Sequence, residues 1–347
     1  MKLECVTREL HARSAFRISR PRARELRNVY LRLEHDGITG YGEASPNAFY
    51  DETAEGVLER LASASSFIES LEIRSIADLE RAWAASWQVL APSRAAQCAL
   101  DLALWDWLGK RQGVSCAELV WSKPARPITT FCTIGLSTAE ELAGKVEELQ
   151  GYPRIKIKTD ASANLETVQY VRERTTAMLA VDANCAWKSV DLEALSRELA
   201  RLEVTFIEQP LAPDCDAELA NARSCLPLIA DESCVSPDDV ERVAQSFDGF
   251  NIKLVKCGGI TPARRMVARG GELRLQTMVG CMLESSALIA AGAVIAQRTT
   301  YADLDGAWLI ANDPFTGWSF ERGIQTPPDA PGLGVTPEPG LFETPES

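Results

Sequence analysis

Apolar and polar positions follow two different periods along this chain. Through residues 1–44 they alternate with a period near two, in LECVTREL and then RNVYLRLEHDGITGYGEA. That is the pattern of half-buried strands, and Asp36-Gly37 between two extended runs is a hairpin turn pair. Residues 52–69 (ETAEGVLERLASASSFIE) and 76–87 then repeat at helical spacing. Pro92 precedes AAQCALDLALWDWLGKRQG, a long apolar helix that ends near Gly113. Three strands followed by helices make an α+β unit over residues 1–124.

Pro124 and Pro127 mark a linker, and past them the two periods alternate regularly. PITTFCTIG reads as a first strand. A helix at 138–150, a strand at 154–158, a helix at 163–175 and a strand at 178–182 follow. Further strands fall at 204–208, 227–231, 249–253, 273–279 and 299–303, which gives eight with helical stretches between them. The class is α/β, a (β/α) barrel over residues 125–315, beside the N-terminal α+β unit. Residues 316–347 form a C-terminal segment expected to pack back on the N-terminal unit. Its end, from 326 on, is rich in Pro and Gly and is expected to run extended.

Five charged residues end successive apolar runs of the barrel: Lys158, Asp182, Glu208, Asp231 and Lys253. The steps between them are 24, 26, 23 and 22 residues, one strand plus one helix each. Barrel chemistry collects at the C-terminal rim of the strands. Asp182, Glu208 and Asp231 come from consecutive strands and so lie side by side there. Three carboxylates without His or Cys favour Mg²⁺, or Mn²⁺ in its place, over zinc. Lys156 and Lys158 share a strand face, and two adjacent ammonium groups lower each other's pKa, which suits a general base. Lys253 stands on the sixth strand, across the barrel from the second. Lys256 is an alternative to it that spacing and parity do not separate.

Composition narrows the chemistry further. The formal net charge is −13, which disfavours nucleic acid and anionic membranes as partners. No run reaches 18 apolar residues, and MKLECVTRELHARS lacks a signal-peptide core, so a cytoplasmic protein is expected. The ten cysteines include no C-x-x-C pair and read as reduced thiols. His11 and His35 are the two histidines, and both precede the barrel. A Ser-His-Asp triad, a His-rich zinc site and a histidine base at the rim are therefore disfavoured, and proton transfer falls to Lys, Asp or Glu.

The strings K-I-K at 156–158, VDANCAW at 181–187, IEQPL at 207–211, ADES at 230–233 and KLVKCGG at 253–259 together resemble the enolase superfamily, muconate-lactonising subgroup. The resemblance covers nearly all of residues 1–340. It implies a modified TIM barrel whose N-terminal domain caps the site with substrate-specificity loops. It implies one Mg²⁺ held by Asp182, Glu208 and Asp231. Lys158 and Lys253 are then the acid/base pair, with Lys156 in support, because the family lysine precedes the Gly pair by five residues. Asn184 and Glu232 follow as groups behind the ligands. A carbon next to a carboxylate is a weak acid, since its carbanion adds charge to an anion. A cation and a lysine offset that charge, one lysine removes the proton, and the other returns one to the opposite face.

The eighth strand ends YADLDG, which puts Asp303 and Asp305 on one face at the rim. That D-x-D is similar to the element with which dipeptide epimerases of this superfamily grip the α-ammonium of a dipeptide. With GAWLI following, the chain looks most similar to L-Ala-D/L-Glu epimerases, which serve murein peptide recycling. Among the five arginines of FRISRPRARELRN, Arg24 or Arg22 is the expected partner of a side-chain carboxylate. Phe49 and Tyr50 are expected to close over the pocket. Glu284 in GCMLESS matches a Glu of cycloisomerase members. An N-acyl amino acid racemase (acting on N-acylglutamate, for example) or a muconate-type cycloisomerase is the alternative on the same scaffold. Self-association is left open.

Overall fold

In the computed structural model, residues 1–13, 26–162 and 164–343 are described. The N-terminal domain has strands β1 (Lys2–Glu9), β2 (Arg27–His35) and β3 (Ile38–Ala44) and helices α1 (Ala54–Ser63), α2 (Ser65–Glu69), α3 (Ile76–Leu90), α4 (Arg94–Gln112) and α5 (Cys116–Trp121). β4 (Ile128–Thr129) follows. The barrel strands are β5 (Cys132–Ile134), β6 (Arg154–Lys158), β7 (Met178–Asp182), β8 (Val204–Glu208), β9 (Leu228–Ala230), β10 (Gly249–Lys253), β11 (Gln276–Gly280) and β12 (Tyr301–Asp303). Their helices are α6 (Ala139–Glu148), α7 (Leu165–Arg172), α8 (Leu192–Arg201), α9 (Asp216–Leu219), α10 (Val240–Val243), α11 (Leu254–Cys257), α12 (Ile260–Glu272) and α13 (Ser286–Ala296). The C-terminal segment adds β13 (Phe315–Thr316), β14 (Ser319–Glu321), β15 (Ile324–Thr326) and β16 (Thr336–Pro337).

β1, β2 and β3 form an antiparallel sheet in that order. Asp36 at φ 53° and Gly37 at φ 72° make the left-handed hairpin turn that Asp-Gly favours. The helix expected over 52–69 is broken. A 3₁₀ turn covers Ala48–Tyr50, α1 starts after the Thr53 cap, and Ala64 separates α1 from α2. Ser63, Ser65 and Ser66 crowd the break, and serine hydroxyls compete for backbone partners. α4 is buried from Ala95 to Gly109 and ends at Gly113, φ 68°. It lies directly on β3.

Eight parallel strands run in sequential order from β5 to β12. The ends approach where the Phe131 N–H donates to the Ala302 carbonyl at 2.8 Å. PITTFCTIG is not one strand. Its first half, β4, pairs antiparallel with β15 outside the barrel. The division falls where Thr130 N–H takes the Gly323 carbonyl (2.9 Å) and Phe131 turns to Ala302. Three other strands are shorter than the apolar runs: 228–230, 276–280 and 301–303. The helix expected at 163–175 spans 165–172, and the tail carries two small β pairings rather than running simply extended.

Strand parity divides the barrel into two surfaces. Phe131, Ala180, Phe206, Ile229 and Met278 pack together with Tyr301 as a plug inside the barrel. Ile155, Ile157, Leu179, Val181, Ile207, Phe250 and Ile252 belong to the larger core under the helices. Residues two positions past the plug residues share their inward direction and stand at the rim. Thr133, Asp182, Glu208, Asp231, Gly280 and Asp303 are those residues.

Candidate active site

The strand register sets the rim in rows. Lys158 pairs with Asp182, which pairs with Glu208. Lys253 pairs with Gly280, which pairs with Asp303. Lys158 on β6 and Lys253 on β10 are four strands apart in a ring of eight, on opposite walls. Both line a cavity of about 720 Å³ between the rim and the N-terminal domain. Lys156, Asn184, Glu232, Asp303, Asp305 and Thr133 line it too. The wall above is Leu26, Arg27, Asn28, Phe49, Tyr50 and Leu283.

Asp182, Glu208 and Asp231 are buried beneath the lysines. Asp182 Oδ2 accepts from Lys158 Nζ at 2.5 Å, and its Oδ1 accepts from the Asn184 N–H at 2.9 Å. Glu208 Oε2 accepts from Lys156 Nζ at 3.0 Å, and its Oε1 from Asn251 Nδ2 at 2.8 Å. Asp231 Oδ2 accepts from Lys253 Nζ at 2.7 Å, and its Oδ1 from Lys256 Nζ at 2.6 Å. Lys156 Nζ also reaches Asp182 Oδ2 at 3.4 Å and donates to Asp303 Oδ2. It therefore bridges three strands.

Lys253 and Lys256 are separated by this geometry. Lys256 donates to Asp231 Oδ1 (2.6 Å), the Asp231 carbonyl (2.6 Å) and the Asn251 carbonyl (3.1 Å). An ammonium has three protons, so all are committed to the framework. Lys256 does not line the cavity. Lys253 lines it and donates to Asp231 Oδ2.

Charge explains the protonation of the site. Burial would lower the pKa of Lys156, but Asp303, Glu208 and Asp182 outweigh it and raise the value well above normal. The sequence expectation of a depressed Lys156–Lys158 pair is thus corrected for Lys156, because carboxylates from β7, β8 and β12 surround its ammonium. Burial is likewise overcome at Lys253, which Asp231 and Glu208 raise. Burial opposes, but Lys158 and Lys156 hold Asp182 down at about 2, and Lys253 and Lys256 hold Asp231 well below its ordinary value. Burial and Asp182 push Glu208 up to about 7. Burial and Asp303 push Asp305 up to about 7.

Asp305 Oδ2 accepts from the Thr133 N–H at 2.7 Å, and Thr133 Oγ1 lies 3.4 Å from Asp303 Oδ1. This fixes the two carboxylates as a pair at one end of the cavity. Glu284 is buried outside the cavity lining and accepts from the Met282 N–H at 2.9 Å. Burial and Glu43 raise it to about 8. Tyr50 is half-buried on the cavity wall, edge-on to Phe49 at 5.0 Å. Arg22 and Arg24 lie outside the described residues.

The donor set suits a hard divalent cation. Six buried carboxyl groups (Asp182, Glu208, Asp231, Glu232, Asp303, Asp305) lie among four lysines (Lys156, Lys158, Lys253, Lys256), so acidic groups outnumber basic ones at the rim. The buried Asn184 Oδ1, on the cavity wall beside Asp182, has no hydrogen-bond partner. Among the described residues no three acidic, Cys or His side chains form a ready-made metal cluster as they lie. Lysine ammoniums meet the oxygens instead, Lys158 on Asp182 Oδ2, Lys156 on Glu208 Oε2 and Lys253 on Asp231 Oδ2.

Sequence reasoning missed four groups. Asn251 and Thr133 are two residues before Lys253 and two after Phe131, so strand parity could have found them. Arg27 lines the cavity and pairs with Glu55 at its edge. Gln209 Oε1 accepts from the Asp231 N–H (2.7 Å) and the Ser233 N–H (3.1 Å), clamping β8 to the start of the next loop. No sequence signal marks its role beyond its place in IEQPL.

Comparison with known proteins gives a consistent picture. Residues 2–120 match the profile of the mandelate racemase / muconate lactonizing enzyme N-terminal domain, and residues 138–341 match that of the enolase C-terminal domain-like family. The chain is 36% identical over 339 residues to an L-Ala-D/L-amino acid epimerase of Flavobacterium johnsoniae, covering 97% of this chain and 99% of that one. A crystal structure from Agrobacterium tumefaciens, an enolase family member with homology to dipeptide epimerases, holds sodium and L-Ala-L-Glu. It is 34% identical with a TM-score of 0.85, covering 94% of this chain and 97% of that one. The dipeptide epimerase of Methylococcus capsulatus, complexed with Mg and L-Arg-D-Lys, is 29% identical with a TM-score of 0.88, covering 96% and 98%.

Proposed function

Because this chain belongs to the mandelate racemase and muconate lactonizing enzyme family of the enolase superfamily, and is an isomerase, we propose that it epimerises a dipeptide. The reaction occurs at the carbon next to the C-terminal carboxylate, with L-Ala-D-Glu and L-Ala-L-Glu as the favoured pair. One observation carries this reading. Two lysines on opposite walls of a single cavity share it with a carboxylate pair, Asp303 and Asp305, at the end of the eighth strand.

Asp182, Glu208 and Asp231 would hold Mg²⁺, which supplies positive charge to offset the second charge that forms on the substrate carboxylate. Lys156 adds a fixed cation beneath, held protonated by its three carboxylate neighbours. Lys158 and Lys253 stand on the two sides of the cavity where the α-carbon lies. The lysine that is neutral takes the proton, and the ammonium opposite delivers one to the other face. The stereocentre inverts and the two lysines exchange states. Asp303 and Asp305 accept the free α-ammonium, and Thr133 N–H keeps Asp305 turned toward it. Arg24 or Arg22 is the proposed partner of the glutamate side-chain carboxylate. The setting proposed is murein peptide recycling in the cytoplasm; no described helix is long and apolar enough to cross a membrane.

Incubation with L-Ala-D-Glu in D₂O, followed by NMR of the α-proton, is the test. Exchange with inversion is expected, and absence of exchange across a panel of dipeptides would sink the reading. Asp303→Asn separates the free amine from the acylated one. It should lower kcat/KM for the dipeptide on the order of 100-fold, as loss of a buried charge partner does. Undiminished dipeptide turnover, with N-acetylglutamate as the better substrate, would favour the racemase.

A further inference from the structure

Each of the three rim carboxylates gives one oxygen to the framework and one to a lysine. Asp182 Oδ1 is held by the Asn184 N–H at 2.9 Å, Glu208 Oε1 by Asn251 Nδ2 at 2.8 Å, and Asp231 Oδ1 by Lys256 Nζ at 2.6 Å. The other oxygens, Asp182 Oδ2, Glu208 Oε2 and Asp231 Oδ2, meet Lys158, Lys156 and Lys253, the lysines that line the cavity. The framework donors are buried. Lys256 is buried and its three protons are all used, two of them on Asp231 itself. Asn251 is buried, and its amide fits only because residue 280 is glycine. A Cβ there would lie 2.6 Å from Asn251 Oδ1 and 2.7 Å from Nδ2.

We propose that Lys256 and Asn251 are positioning residues that make Asp231 and Glu208 present one oxygen each, and that this selects Mg²⁺ over Ca²⁺. The inference rests on the metal-site reading above. Ca²⁺ takes about 6–8 oxygens and readily uses both oxygens of a carboxylate, whereas Mg²⁺ holds a tight octahedron of single oxygens and waters. A two-oxygen grip by Asp231 must first break the Lys256 bond and leave a buried ammonium short of a partner. Mg²⁺ makes no such demand.

The test is calorimetric titration of the full chain with Mg²⁺ and with Ca²⁺, in the native protein and in Lys256→Met, Asn251→Ala and Lys256→Arg. Removing the Lys256 charge strengthens both divalent ions alike, so the ratio of the two Kd values reads geometry rather than charge. In Lys256→Met the ratio Kd(Ca²⁺)/Kd(Mg²⁺) should fall at least ~10-fold. Asn251→Ala, which changes no charge, should move it in the same direction. Lys256→Arg keeps a donor on Oδ1 and should stay within ~3-fold of native. An unchanged ratio in a folded Lys256→Met protein overturns the inference. No Mg²⁺ binding by the native chain removes the metal-site reading, and the inference with it. If the variants do not fold, a crystal structure of the native chain with Mg²⁺ decides. Asp231 on the ion through Oδ2 alone, with Oδ1 still on Lys256, is expected; a two-oxygen grip overturns the proposal.

Discussion

Lys253 and Lys256 stand three residues apart and are used in opposite ways. A general base needs a lone pair facing the substrate, and a residue whose three protons bind the framework cannot supply one. Lys256 is that residue. Lys253 and Lys158 each donate to one carboxylate and border the cavity. Loss of either should remove epimerisation by at least ~10³-fold, within the range that acid–base groups contribute. It should not remove everything. In Lys253→Ala the remaining Lys158 still serves one face, so deuterium should enter the α-position of one enantiomer and not the other. Lys158→Ala should show the mirror preference. NMR of D- and L-configured dipeptides in D₂O reads this directly. Loss of exchange from both enantiomers in both variants would mean that the two lysines do not divide the faces. Lys156 belongs to neither role, because its ammonium is engaged by three carboxylates at once, Glu208, Asp303 and Asp182, where Lys158 and Lys253 each meet one.

At the scale of elements, the site is a consequence of strand parity. The same alternation that sends Phe206 and Ile229 into the barrel plug sends Glu208 and Asp231 to the rim. Two glycines show how tightly the elements are set. A Cβ on Gly42 of β3 would lie 1.9 Å from the Ala99 carbonyl oxygen of α4, and backbone cannot step aside. A Cβ on Gly280 of β11 meets the Asn251 side chain, which can rotate off Glu208. Gly280→Ala should therefore cost about 1–3 kcal/mol in urea unfolding, and Gly42→Ala more. The reverse order would mean that β3 and α4 separate easily. Parity and spacing made the rim carboxylates and lysines readable from the chain, because each ends its own apolar run. The first barrel strand is shorter than its apolar run, since β15, which captures Ile128 and Thr129, lies almost 200 residues downstream. The state of Lys156 escapes local sequence for the same reason. Its neighbour in sequence is Lys158, but its neighbour in space is Asp303, 147 residues away.

At the scale of the whole molecule, the two domains meet through buried polar groups rather than apolar contact alone. Glu43 at the end of β3 accepts from Asn28 Nδ2 (2.7 Å), the Ser285 N–H (3.0 Å) and the Leu288 N–H (3.1 Å), and so holds the start of α13. Asp101 of α4 accepts from the Thr261 N–H (2.9 Å) and hydroxyl (2.6 Å), and Trp105 Nε1 donates to the same hydroxyl at 2.9 Å. Asp101 thus caps α12 from the other domain. Burial raises its pKa to about 7, against the pull of the Thr261 bonds and Arg264. A carboxyl whose folded pKa is raised stabilises the fold below its unfolded pKa, and that stability is lost as pH rises to the folded value. The window is about pH 4–7. Asp182 and Asp231, shifted the other way, contribute stability that is present above their unfolded pKa of about 4 and is lost as pH falls below it, so the two effects separate. Asp101→Asn keeps an acceptor for the Thr261 N–H and a donor for its hydroxyl but cannot ionise. Between pH 5 and pH 8 the native protein should lose on the order of 3 kcal/mol relative to Asp101→Asn in urea unfolding, at 1.36 kcal/mol per pKa unit. Parallel stability curves for the two proteins would mean that Asp101 ionises as freely in the folded molecule as in the unfolded chain.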